Sequence, residues 1–173
     1  MGIEIERKFL VADDGWRAGI FRSEPMSQGY LVGAQALRDG NARSSVRARI
    51  AGDSAWLNIK AAVAGIERAE FEYPIPRDDA RAMLATLCDG VLEKIRHHVM
   101  VDDALFEVDE FLGDNTGLVV AEIELRSVDA SFPKPAWLGR EVSDLLRYYN
   151  VNLIAHPYGQ WSVQERAAQD AAC

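Results

Sequence analysis

The stretch Ile3-Glu4-Ile5-Glu6-Arg7-Lys8-Phe9-Leu10-Val11 decides how this chain is read. Side chains alternate between the two faces of a strand, so Glu4, Glu6 and Lys8 share one face and Ile3, Ile5 and Phe9 the other. Two carboxylates and an ammonium in a row admit two readings. Either the face is wet and ion-paired, or it lines a cavity that holds a metal and an anion.

The pattern recurs. Ser45-Val46-Arg47-Ala48-Arg49-Ile50 turns through Ala51-Gly52-Asp53-Ser54 into Ala55 to Lys60. This predicts a hairpin with Arg47 and Arg49 on one face of its first strand, and Asn58 and Lys60 on one face of its second. Arg68, Glu70 and Glu72 share a face in a strand ended by Pro74 and Pro76. Lys94 and Arg96 align next, Asp102-Asp103 makes a turn, and Glu107 and Asp109 align on the strand after it. Glu122 and Glu124 close the series. One face of the strand set thus carries cations and anions in near-equal number. It is either the solvent face of a two-layer protein or the interior of a closed sheet. A small barrel can enclose a ligand, but its interior charges then need partners, metals or a polyanion to offset desolvation.

Strands joined by short turns predict antiparallel pairing in a mainly β, α+β chain of roughly eight strands. Helices are expected at 78–89 and near 137–150. The first offers Ala82, Met83, Leu84, Leu87 and Cys88 for burial, with Asp78 or Asp79 as cap and Gly90 as stop. Residues 13–28 read as a short helix or turn and then a loop broken by Pro25, with a strand beginning in 29–34. Asp39-Gly40-Asn41 signals a turn. No Gly-rich phosphate loop sits in a βαβ setting, which argues against a doubly wound sheet.

The 173 residues suit one domain with a sizeable core. With 27 acidic against 19 basic side chains the net charge is −8, which argues against a general nucleic-acid surface. A local basic pocket for a small polyanion is still open, because focusing in a cleft follows local arrangement. Cys88 reads as a core thiol and Cys173 as incidental. Together they make neither a disulfide framework nor a zinc site. No apolar run is long enough to span a bilayer, and the charged strand begins at once, so a cytoplasmic protein without a membrane partner is expected.

The carboxylate pairs Glu4/Glu6 and Glu122/Glu124 suit a hard divalent cation such as Mg2+ or Mn2+, and Asp109 offers a further ligand. Lys8, Arg47, Arg49, Lys60, Arg68, Lys94 and Arg96 are suited to surround phosphate oxygens. An isolated E-x-E is common on wet strands; two pairs within a repeating charged face carry more weight.

In order along the chain stand Glu4-x-Glu6-x-Lys8, Gln28-Gly29-Tyr30-Leu31, Val46-Arg47-x-Arg49, Ile59-Lys60 and Arg68-x-Glu70-x-Glu72. They continue with Lys94-x-Arg96, Asp109-x-Phe111-x-Gly113, Ala121-Glu122-x-Glu124, Trp137-Leu138-Gly139-x-Glu141-Val142 and Arg147-Tyr148-Tyr149-Asn150. This series resembles the CYTH family, the triphosphate tunnel metalloenzymes, and within it the compact bacterial inorganic triphosphatases. The resemblance implies an eight-stranded antiparallel β-barrel forming a tunnel with flanking helices. The domain would span residues 1–160, with a C-terminal tail at 161–173. It implies hydrolysis of inorganic triphosphate with Mg2+ or Mn2+. The metal ligands would be Glu4, Glu6, Asp109, Glu122 and Glu124. The seven cations would hold phosphate, with Glu70 and Glu72 supporting them. Lys8, Tyr30 and Lys94 become the catalytic candidates, and either lysine is placed to orient or deprotonate the attacking water.

Other functions within the resemblance are class IV adenylate cyclisation and hydrolysis of nucleoside or thiamine triphosphate. A polyphosphate-binding module without turnover is the non-enzymatic alternative. A homodimer is considered on general grounds. By parity His97 points away from Lys94 and Arg96, toward exterior packing. Asn58 lies beside Lys60 in the wall. Trp16, Trp56, Trp137 and Trp161 read as packing residues, and Tyr148 and Tyr149 as anchors for the last helix.

Overall fold

The computed structural model describes residues 2–62 and 66–167; Cys173 and the tail beyond 167 lie outside the described residues. The strands are β1 Gly2–Val11, β2 Ile20–Val32, β3 Ser44–Ala51, β4 Ser54–Ala61, β5 Glu67–Pro74, β6 Val91–Val101, β7 Ala104–Phe111, β8 Val119–Glu124 and β9 Leu138–Glu141. The helices are α1 Ala34–Arg38, α2 Arg77–Thr86, α3 Asn150–Ala155 and α4 Val163–Ala167. The strand order β5-β4-β3-β2-β6-β7-β8-β1 returns on itself through a β1–β5 pairing. Eight antiparallel strands therefore close into a barrel, and β9 adds to β1 on the edge where its pairing with β5 ends, across β1 from β8.

Closure decides between the two readings of the charged face. The register sets Glu6 opposite Glu124, Lys8 opposite Glu122 and Glu4 opposite Arg68. These side chains point into the barrel, and the alternate apolar ones point out. Phe9, Val99, Phe106, Val108, Ala121 and Ile123 form an outer cluster, covered by Trp16 of a 3-10 turn at Asp14–Gly19 and by Trp137. His97 is on this outer side as parity predicts, with its ring 5.0 Å from that of Trp16 and Nδ1 2.7 Å from Ser23 Oγ. A second cluster fills one end. Leu92, Phe111 and Val120 follow Lys94, Asp109 and Glu122 on the same strand faces, and there they meet Val142, Tyr148, Leu153 and Trp161. The inner face changes from charged to oily within one pleat.

Several local expectations are corrected. Pro25 does not break β2, which runs for 13 residues. Its carbonyl accepts from the Gly52 amide at 3.3 Å, so its nitrogen faces the same way, past the end of β3 where no ladder partner waits. The helix expected near 137–150 is instead β9, a 3-10 turn at Leu146–Tyr148, and then α3. Gly139 explains the strand: a Cβ there would lie 2.8 Å from the Leu10 carbonyl oxygen, so only glycine lets this segment lie against β1.

α2 begins at Arg77 after Pro76, with no side-chain cap. Asp78 and Asp79 fall in its first turn, where they complement the helix dipole. Its inward stripe is Ala80, Met83 and Leu84, at helical spacing, while Ala82 and Leu87 face out. The helix ends at Thr86, so Cys88 lies beyond it and is half-buried rather than a core thiol. Trp161, at the start of the expected tail, is buried, and its ring packs edge-on against Tyr148 and Tyr158. No helix among the described residues is long and apolar enough to cross a membrane.

Candidate functional site

The barrel encloses a cavity of about 500 Å³. Glu4, Glu6, Lys8, Tyr30, Arg47, Arg49, Lys60, Arg68, Glu70, Glu72, Lys94, Arg96, Glu122 and Glu124 all line it. Of the site residues read from the sequence, only Asp109 does not. It is fully buried behind the wall and receives Lys94 Nζ and a bidentate contact from Arg96, with Nε and one terminal nitrogen each at 2.7 Å. Both oxygens of Asp109 are thereby used in holding cations.

Closure brings three groups of charges together. In the first, the Lys8 ammonium lies between Glu6 and Glu122 and bonds to both, while its backbone N–H donates to Ser143 Oγ at 2.9 Å. Burial opposes the charge on Lys8, but Glu122 and Glu6 overcome it and hold its pKa above the ordinary lysine value. In the second, Lys60 donates to both oxygens of Glu4 at 2.8 Å, and Arg68 reaches Glu4 at 3.1 Å and Glu6 at 3.3 Å. The Arg68 guanidinium lies 5.3 Å from the centre of the Tyr149 ring. In the third, Arg96 joins Asp109, Glu107 and Glu122, the last at 2.6 Å.

Lys94 behaves differently from Lys8. Burial and the positive charge of Arg96 outweigh Asp109 and Glu122, and its pKa is lowered to about 8. Glu122 is held well below the ordinary carboxylate value: burial opposes ionisation, and Lys8, Arg96 and Lys94 prevail. Glu124 goes the other way. Desolvation and the negative charges of Glu107, Glu4 and Glu6 push it up against the weaker attraction of Lys60, and among the described residues no cation forms a salt bridge with it.

The opposite wall is positive. Arg49 donates to Glu72 at 2.7 Å, but burial and the neighbouring Arg47 push its pKa down. Arg47 has no carboxylate partner among the described residues; it donates to the Gln28 side-chain oxygen at 3.3 Å and hydrogen-bonds to the Tyr30 hydroxyl. The Nε atoms of both arginines are buried without an acceptor. Asn58, as its place beside Lys60 suggested, tunes the wall by donating to Glu70 and Glu72. Tyr30 sits opposite Arg47 in the ladder, and burial raises its hydroxyl against the opposing charge of Arg47. Trp56 lies under the Arg49 guanidinium at 5.2 Å.

Sequence reading missed part of the lining. Ser45 shares a strand face with Arg47, so parity was the available signal; Glu107, set on the charged face by parity but absent from the site residues read from the sequence, also lines the cavity. Leu37 and Arg38 of α1, Leu146, Tyr149, and Asn150 to Asn152 of α3 form the mouth. Apart from Tyr149 and Asn150, which stand in the Arg147-Tyr148-Tyr149-Asn150 motif, they carry no local signal, because only the tertiary path of the chain brings them over the barrel.

The donor set suits a hard divalent cation, since Glu4, Glu6, Glu107, Glu122 and Glu124 present oxygens to one cavity, and the repulsion around Glu124 is what such an ion relieves. Among the described residues no three acids form a preassembled metal cluster; Lys8, Lys60, Arg68 and Arg96 bond to oxygens of Glu4, Glu6 and Glu122.

A charged cavity inside a closed antiparallel barrel defines a class, and comparison with known proteins agrees. The model of the CYTH domain matches residues 2–158, and the chain belongs to that family. It is 42% identical over 159 residues to an inorganic triphosphatase of Acetivibrio thermocellus, covering 91% of this chain and 97% of that one. It is 33% identical over 150 residues to an inorganic triphosphatase of Nitrosomonas europaea, covering 85% and 93%. A crystal structure of an inorganic triphosphatase superposes with a TM-score of 0.63 at 31% identity, covering 89% of this chain and 95% of that one.

Proposed function

We propose that this protein hydrolyses inorganic triphosphate to pyrophosphate and phosphate with the aid of Mg2+ or Mn2+. The observation that carries the reading is the division of the cavity: Arg47 faces it without a carboxylate and Glu124 without a cation. A polyanion on one side and a divalent cation on the other complete both walls. The two bacterial relatives named as inorganic triphosphatases support the same substrate.

Arg47 and Arg49 hold phosphate oxygens from one wall; Lys60, Arg68 and Arg96 exchange part of their carboxylate contacts for phosphate. Glu4, Glu6, Glu122 and Glu124, with Glu107 beside them, would hold the metal, which supplies neutralisation of phosphate charge. Asp109 we assign to positioning Lys94 and Arg96 rather than to the metal. Water attacks the terminal phosphorus, the bond to the bridging oxygen breaks, and pyrophosphate leaves. Lys94 Nζ is the better acceptor for the water proton, because Lys8 is locked as an ammonium between two carboxylates. Tyr30 positions the substrate beside Arg47.

The test is a substrate panel of triphosphate, ATP, thiamine triphosphate and pyrophosphate with Mg2+ or Mn2+ and product identification. Phosphate and pyrophosphate from triphosphate are expected, and Glu4→Gln should abolish them. Cyclic AMP from ATP as the main product, or no release above the Glu4→Gln control from pH 7 to pH 10, would overturn the proposal.

A further inference from the structure

Gln28 is fully buried in β2, opposite Arg49 in the β2–β3 ladder and opposite Leu92 on the other side. It does not line the cavity but lies behind the arginine wall. Its side-chain oxygen accepts from Arg47 at 3.3 Å, and its Nε2 has no partner. The Nε atoms of Arg47 and Arg49 are likewise buried without acceptors. Three inner-face side chains on adjoining strands thus hold N–H donors in excess of acceptors. Buried donors are left unmet at a cost to the fold, and such groups call for an explanation.

The chemistry of position 28 supplies one. A carboxylate there would pair with Arg47 and satisfy its charge. An apolar side chain would remove this acceptor and leave the guanidinium to the Tyr30 hydroxyl alone. A neutral amide fixes the guanidinium through one weak acceptor and leaves its full charge for another anion. The next residue shows how tightly the strand is placed: a Cβ on Gly29 would lie 2.9 Å from Cys88 Cβ and Sγ.

We propose that Gln28 is a positioning residue for the polyanion, holding Arg47 at the cavity wall while leaving its charge uncancelled. This rests on the reading that the cavity binds triphosphate. The experiment titrates wild type, Gln28→Glu and Gln28→Met with inorganic triphosphate by calorimetry in EDTA, alongside thermal unfolding of each. Gln28→Glu is expected to keep or raise the melting temperature and to weaken triphosphate binding by about tenfold or more, because its carboxylate competes for Arg47. Gln28→Met is expected to lower the melting temperature and weaken binding less.

A merely structural role would move only the melting temperatures. Wild-type affinity in a folded Gln28→Glu overturns the proposal, and so does wild-type affinity in a folded Gln28→Met should the first variant not fold. A wild type that binds triphosphate but releases no phosphate with Mg2+ refutes the hydrolase reading alone; the variants then still decide the role of Gln28. A wild type with no affinity for triphosphate in EDTA overturns the proposal for Gln28, while the substrate panel with Mg2+ still decides the hydrolase reading.

Discussion

Lys8 and Lys94 carry the same side chain into the same cavity and emerge as different acids. Lys8 has two carboxylates on its ammonium, whereas Lys94 has one, with Arg96 beside it. The number of neighbouring charges, not the residue type, decides which lysine can lose a proton near pH 8. At pH values below its lowered pKa Lys94 is an ammonium and cannot accept a proton; above it the free amine grows. Turnover of triphosphate is therefore expected to rise through about pH 8. Lys94→Arg should remove that rise and lower kcat by roughly 100- to 10,000-fold, as loss of a general base does. Stopped assays across pH 6–10 with both proteins check it, and an unchanged limb in the variant would assign the titration elsewhere. Parity in the sequence put both lysines on the inner face, but it could not rank them.

At the scale of elements, the barrel strands other than β2 were legible; most of β2 reads as a loop in the sequence, and the covering segments were also less legible. The hairpin of β3 and β4 follows from its alternation and from Gly52, whose φ of 52° suits a tight turn. β9 was not legible, because four residues with one glycine give too little periodicity, and its pairing depends on a backbone approach to Leu10 from far along the chain. Gly139→Ala should force β9 off β1 and disturb Ser143, which bonds the Lys8 backbone. The overpacking cost is about 1–3 kcal/mol, and a fall of several degrees in melting temperature is expected. An unchanged melting temperature would show that β9 adds little to the barrel.

At the scale of the molecule, the interior carries charges that help the fold and charges that strain it. Glu122 accepts from Lys8 and Arg96 inside the barrel, and Glu122→Gln leaves both cations under-compensated. Loss of such a buried partner costs about 3–5 kcal/mol. Glu124, two residues on, is repelled by Glu107, Glu4 and Glu6. Glu124→Gln is therefore expected to raise the melting temperature of the metal-free protein while lowering triphosphatase activity. Denaturant titrations and assays of the two variants side by side test the contrast; equal destabilisation by both would deny that Glu124 is held for function.

The sequence by itself determined which residues share a face, where most hairpins turn and that the inner face is ionic, because strand parity is a local property of the chain. Its ordered motifs also pointed to the family. Only the tertiary structure decided that the face is enclosed, since closure requires β1 to meet both β5 and β8. It alone withdrew Asp109 from the cavity, left Arg47 and Glu124 without opposite charges, separated Lys94 from Lys8 and brought α1 and α3 over the mouth. Each of these depends on the distance between charges remote in sequence, and electrostatic interaction inside a barrel follows that distance and burial rather than position along the chain.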